Sequence, residues 1–182
     1  MPRISKTNYK YKRAAEITVA AALAAAAVCG GPPSPARASS IDVECVGSFS
    51  RSFSPAVTAT SQTVTVTEAN DYDTCVIGSA ATGAATVTLA LACVPVTAGP
   101  AMTETVTWND ATGGTSTISW SSPTITAQTV VYNGTVTAGR YVGDSATKIT
   151  SGISYVGSVA GCLLGIPISS STGLIDSFVL TQ

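Results

Sequence analysis

Three glutamates, Glu44, Glu68 and Glu104, are the residues of this chain best suited to acid–base chemistry. Two carboxylates flanking a cleft can hydrolyse a glycoside, one as acid and the other as base or nucleophile. Each of the three falls on or beside an alternating segment, where a solvent-facing carboxylate is the plainer expectation. Asn70-Asp71-Tyr72-Asp73 is the densest cluster of side-chain oxygens and could hold calcium in a loop, although these residue types also make ordinary turns. The chain has no histidine, which excludes Ser-His-Asp and Cys-His arrangements and any His-bearing zinc site. Gly113-Gly114 lacks the Lys-Ser/Thr that completes a phosphate loop. No catalytic residue, cofactor or metal ligand is therefore assigned.

Of five cysteines, Cys29 lies in the leader described below, leaving Cys45, Cys75, Cys93 and Cys162. An even set in an exported domain reads as two disulfides. Four cysteines allow three connectivities. Strand parity favours Cys45 with Cys75 and Cys93 with Cys162, and the spacings contain no Cys-x-x-Cys pair that would suggest zinc. Tyr72, Tyr132 and Tyr141 lie near expected turns, where an exposed ring could lie against a sugar or a protein partner. Packing in the core or a turn is the alternative for all three.

These residues must be positioned by strands. In Gln62–Thr67 valines and threonines alternate, the pattern of a half-buried strand. The same period places Val87, Leu89, Leu91 and Cys93 on one face, and Val43, Cys45 and Phe49 on another inward face. Thr103 to Trp108 and Thr115 to Trp120 read as a hairpin with two core-facing tryptophans. Asn133-Gly134 fits the positive-φ positions of a type I′ turn, which also accounts for the Asn-Gly-Thr glycosylation pattern there. Lys148 to Tyr155, with Ile149, Ile153 and Tyr155 in phase, and Leu174 to Leu180 complete eight or nine short strands. The apolar stretch from Ser158 to Ile168 does not alternate and suits a short helical turn near Cys162. The expected architecture is an all-β, two-sheet antiparallel sandwich, immunoglobulin-like or a related Greek key. Cys93, Trp108 and Cys162 follow the Cys-Trp-Cys order of immunoglobulin-like domains, but position 160 is alanine where that fold has a tyrosine.

Residues 1–38 have a basic head (Arg3, Lys6, Lys10, Lys12, Arg13), an apolar run from Ala14 to Val28, and small residues at Ala36 and Ala38. This is the order of a secretory signal, and the run is shorter than the about 20 apolar residues that span a bilayer. Residues 39–182 then form one β domain. That segment holds three basic residues (Arg51, Arg140, Lys148) against nine carboxylates, so 3 − 9 gives −6. Such a balance argues against nucleic acid as a partner, since phosphates reward clustered Lys and Arg, and against anionic membrane surfaces after cleavage.

The domain resembles a family of small secreted actinobacterial proteins of unassigned function. The resembling features are Cys45-x-Gly47, Phe53-Ser54-Pro55, the Val64-Thr65-Val66 strand, Cys75, the Trp120 strand and Gly139 to Asp144. The resemblance implies export and a disulfide-bonded β-fold, and brings no catalytic residues. The function expected from the sequence is a secreted, noncatalytic structural, adaptor or surface-binding role, with a protein or cell-wall glycan as partner. A small-molecule carrier or protease inhibitor is the alternative, and a glycan-acting enzyme stands behind both.

Overall fold

The computed structural model describes residues 39–182 apart from 94–98, 127–128 and 156–158. The expected signal, with its basic head, Cys29 and the expected cleavage site at Ala36–Ala38, falls on residues 1–38, outside the described residues. Among the described residues nine strands and one short helix follow in order: β1 (Ile41–Val57), β2 (Gln62–Ile77), β3 (Ala81–Leu91), β4 (Met102–Trp108), β5 (Thr115–Trp120), β6 (Thr124–Ile125), β7 (Thr129–Gly139), β8 (Ser145–Tyr155), α1 (Val159–Leu163) and β9 (Ile168–Thr181). The helical turn holds Cys162, which is buried.

The strands do not form a sandwich. They lie side by side in nearly sequential order, β5-β4-β3-β2-β1-β9-β8-β7, and β5 also pairs with β7, closing an eight-stranded antiparallel barrel. The two-residue β6 continues along β7 beyond the end of β5, through Thr124 opposite Val131 and Ile125 opposite Val130. A Greek key is excluded as well, because the eight barrel strands pair in sequence order and the first, β1, lies beside the last, β9. Alternation specifies which face of a strand is buried, and that requirement is the same inside a sandwich and inside a barrel. The closing pair is what distinguishes them.

Two glycines permit that pair. Along it Ser116 lies opposite Gly139 and Trp120 opposite Gly134. A Cβ on Gly134 would meet the Ser119 carbonyl oxygen at 2.5 Å, and one on Gly139 would meet that of Thr115 at 2.0 Å. Gly139 also has φ near +82°, a conformation that side chains disfavour. Asn133 and Gly134 thus lie inside β7 and not in a type I′ turn. Gly134 serves close approach of two strands.

The barrel interior has two apolar zones. Val43, Cys45, Tyr72, Trp108, Val136 and Phe178 belong to a cluster that fills one end, where Tyr72 stacks on Phe178 at 4.1 Å between ring centroids. Val57, Val64, Leu91, Cys93, Cys162 and Ile168 form a smaller cluster at the other end. Each end carries a disulfide: Cys45–Cys75 joins β1 to β2, and Cys93–Cys162 joins the segment after β3 to α1 across 69 residues of sequence. On β8 the inward residues are Ala146, Lys148 and Thr150, not the expected Ile149 phase. An irregularity between Ser151 and Ser154 then reverses the phase, so that Ile153 packs on the core.

Candidate functional site

Between the two apolar zones the interior carries charge. On β2 the inward series Val64, Val66, Glu68, Asn70, Tyr72 runs without a break, and β4 turns Glu104 inward beside Val106 and Trp108. Glu104 and Lys148 are fully buried, and Glu68 is 5% exposed. The Lys148 ammonium bridges the carboxylates, 2.9 Å from Glu68 Oε1 and 3.0 Å from Glu104 Oε2. Arg51 of β1 donates through Nε to Glu68 Oε2 at 2.6 Å and through Nη2 to the Tyr132 hydroxyl at 3.0 Å. Around Glu104, Oε1 accepts from Tyr72 (2.6 Å) and Asn70 (2.8 Å), while Oε2 also accepts from the Trp120 indole (2.8 Å).

Buried charges persist only when paired and hydrogen-bonded, and each carboxylate here is held by several donors. Burial alone would raise the Glu68 carboxyl, but Lys148 and Arg51 outweigh it and hold the group down to about 2. Burial would lower Lys148, yet Glu104 and Glu68 keep its pKa above the ordinary lysine value. Tyr72 is pushed up by burial and then by the adjacent Glu104. The four charged groups are thus two carboxylates and two cations, a net of zero.

This polar layer is the floor of a cavity of about 970 Å³ that opens to solvent. Arg51, Glu68 and Tyr132 line it from below. Its walls are mainly apolar, including Phe53, Val66, Val87, Leu89, Met102 and Ile153, with Ser171, Thr129 and Asp176 among them. Eight-stranded barrels have interiors that side chains just fill or that hold one small ligand. Here one half is filled by aromatic side chains and the other half is open.

The expected site residues are redistributed. Tyr72 is fully buried and cannot present its ring at the surface. Tyr132 is 7% exposed and faces the cavity, not an external partner. Tyr141 is half-buried, edge-on to Trp108 at 5.1 Å and beneath the Arg140 guanidinium. The Asn70–Asp73 cluster lies within β2, so Asn70 and Tyr72 point inward while Asp71 and Asp73 point to solvent. Residues on opposite faces cannot converge on one calcium ion. Of the three glutamates only Glu44 lies away from the interior cluster.

Arg51, Lys148 and Trp120 were not assigned to a site from the sequence. A signal existed for the two buried glutamates: Glu68 shares parity with Val64 and Val66, and Glu104 with Val106 and Trp108. Strand parity alone would put both inside, and the expectation that they face solvent followed instead the usual preference of carboxylates for water; the structure corrects it for Glu68 and Glu104. Comparison with family models, curated proteins and solved structures finds no match, so the site is read from its geometry.

Proposed function

We propose that this chain is an exported carrier that binds one small, largely apolar molecule inside its barrel. The observation that carries the reading is the cavity of about 970 Å³, mainly apolar along its walls, with its charged groups, Asp176 apart, gathered at the Arg51–Glu68 floor beside Tyr132. That combination of size, apolar lining and a few convergent polar groups is the usual form of a small-molecule site. Export is supported by the two disulfides, which persist in oxidising compartments.

The polar floor suits binding better than hydrolysis. A glycosidase needs one carboxylic acid that can give up a proton near neutral pH. Glu68 is held ionised at about 2 by Lys148 and Arg51, and Glu104 accepts four hydrogen bonds in the interior. A contact role for the surface has its own support in Leu163, Leu164 and Ile166, which are exposed beside the buried Cys162.

Titration of the protein with N-phenyl-1-naphthylamine, a dye that brightens in apolar surroundings, tests the carrier reading. Saturable one-to-one binding is expected, with loss of most affinity in Val87→Trp, where the added ring would occupy the cavity. No saturable binding, or binding indifferent to Val87→Trp, would remove the proposal.

A further inference from the structure

The chemistry of the floor restricts what the cavity can hold, an inference that rests on the carrier reading. Arg51, Lys148, Glu68 and Glu104 form a closed set in which each charge contacts an opposite one, and their sum is zero. Asp176 is the one further charged residue among the described lining, and it is exposed and negative. A ligand carboxylate entering this half of the barrel would meet Glu68 without a cation left over to neutralise it. A ligand ammonium would likewise add a charge to a set already balanced. Either ion would also leave its hydration shell, a cost that an unmatched charge in an interior does not recover.

Two hydroxyls of the lining keep a hydrogen-bonding capacity: Ser171 Oγ, buried, without a partner among the described residues and on the strand position opposite Arg51, and Tyr132, whose ring lies at the floor. The Tyr132 oxygen accepts from Arg51 Nη2, and among the described residues no acceptor takes the Tyr132 hydroxyl proton. That proton can be donated, and the Arg51 bond polarises the hydroxyl and strengthens the donation. Burial raises the Tyr132 pKa, so the proton is present at neutral pH.

We propose that the cavity selects an uncharged, mainly apolar molecule bearing one acceptor oxygen, such as a ketone, aldehyde or ester, which lodges that oxygen on the Tyr132 hydroxyl. The apolar remainder lies along the Phe53, Val66, Val87, Leu89 and Met102 walls. The acidic exterior acts in the same direction on anions, because the three cations of residues 39–182 are all engaged in ion pairs.

The test uses matched ligands differing only at the polar end: 2-decanone, decanoate and decylamine, each displacing bound N-phenyl-1-naphthylamine from the intact protein at neutral pH. 2-Decanone is expected to bind at least ~10-fold more tightly than either ion, the scale set by an unpaired charge entering an interior. Tyr132→Phe should weaken 2-decanone by roughly 3- to 10-fold, the range of one hydrogen bond, and should weaken the naphthylamine less. Glu68→Gln leaves the floor with a net positive charge and should bring decanoate up relative to 2-decanone. Should that variant fold poorly, the wild-type ranking decides alone. Decanoate binding as tightly as 2-decanone, or Tyr132→Phe leaving 2-decanone unchanged, overturns the proposed selectivity while leaving the carrier reading intact. Failure of the naphthylamine itself to bind overturns the carrier reading instead.

Discussion

Lys148 holds two carboxylates together in the middle of the barrel, and its removal shows what the cluster contributes. Lys148→Met would leave Glu104 and Glu68 without their shared cation, a change that costs about 3–5 kcal/mol when one partner of a buried pair is lost. Adding Glu104→Gln to that variant should restore part of the loss, because the orphaned charge goes with it. Urea unfolding of the wild type, both single variants and the double variant measures the coupling. Glu68 sets a pH signature of defined sign. Its carboxyl lies at about 2 against an ordinary 4.5, so its ionised form contributes on the order of 3 kcal/mol at neutral pH. That contribution is complete above pH 4.5 and lost as the pH falls to about 2. Lys148 has the opposite sign: raised above its ordinary 10.5, it supports the fold below that pH and stops doing so only as the pH climbs through its elevated value. Urea midpoints across pH 2 to 7 should show the acid-side slope in the wild type and a shallower one in Glu68→Gln. The inward placement of Glu68 and Glu104 overturns the expectation of solvent-facing carboxylates, although parity with Val64, Val66, Val106 and Trp108 carried it. Their partners were not legible, because Lys148 meets Glu68 across 80 residues of sequence and no local pattern carries that distance.

Strand pairing accounts for the largest difference between expectation and fold. The β4–β5 hairpin, the Gln62–Thr67 strand and the helical turn at Cys162 follow from periodicity and residue type, and all are present, whereas β2 runs on to Ile77 through the Asn70–Asp73 stretch expected as a turn or loop. The closing of β5 on β7 was not readable, because the same Asn133-Gly134 dipeptide suits a hairpin turn and also a strand that needs a bare backbone. Substitution separates these roles. Asn133 is exposed within β7, so Asn133→Thr should leave stability within about 0.5 kcal/mol or improve it, as a β-branched residue does on an exposed strand face. In a type I′ turn the same change would be costly, since threonine resists positive φ. Gly134→Ala should instead cost on the order of 2 kcal/mol as overpacking, because its Cβ would also press on the Trp120 ring at 2.8 Å. Amide exchange in β5 and β7 should accelerate in Gly134→Ala before that in β2 and β3.

At the scale of the whole molecule, the barrel turns threonine and serine outward and its apolar and aromatic side chains inward; Thr65 and Thr88, for example, meet at 3.2 Å on the outer face. A lipid-embedded barrel has the reverse arrangement, apolar outside and polar within. The Cys93–Cys162 bond closes a 69-residue loop, a constraint on the unfolded chain of about 4 kcal/mol. Cys93→Ala/Cys162→Ala should therefore unfold at markedly lower temperature than the wild type in a thermal melt, while reducing agent should change the variant's melt less than the wild type's. Thr181 pairs with Ile41, and the Gln182 amide donates to the Ser40 carbonyl at 3.0 Å. The two ends of the barrel chain are thus neighbours, and β1 and β9 meet as any consecutive pair does. The ring has no physical starting point. A permuted chain joined from residue 182 to residue 39 by a short linker and reopened between Gly113 and Gly114 should rebuild the same barrel, with the same cavity at the same end.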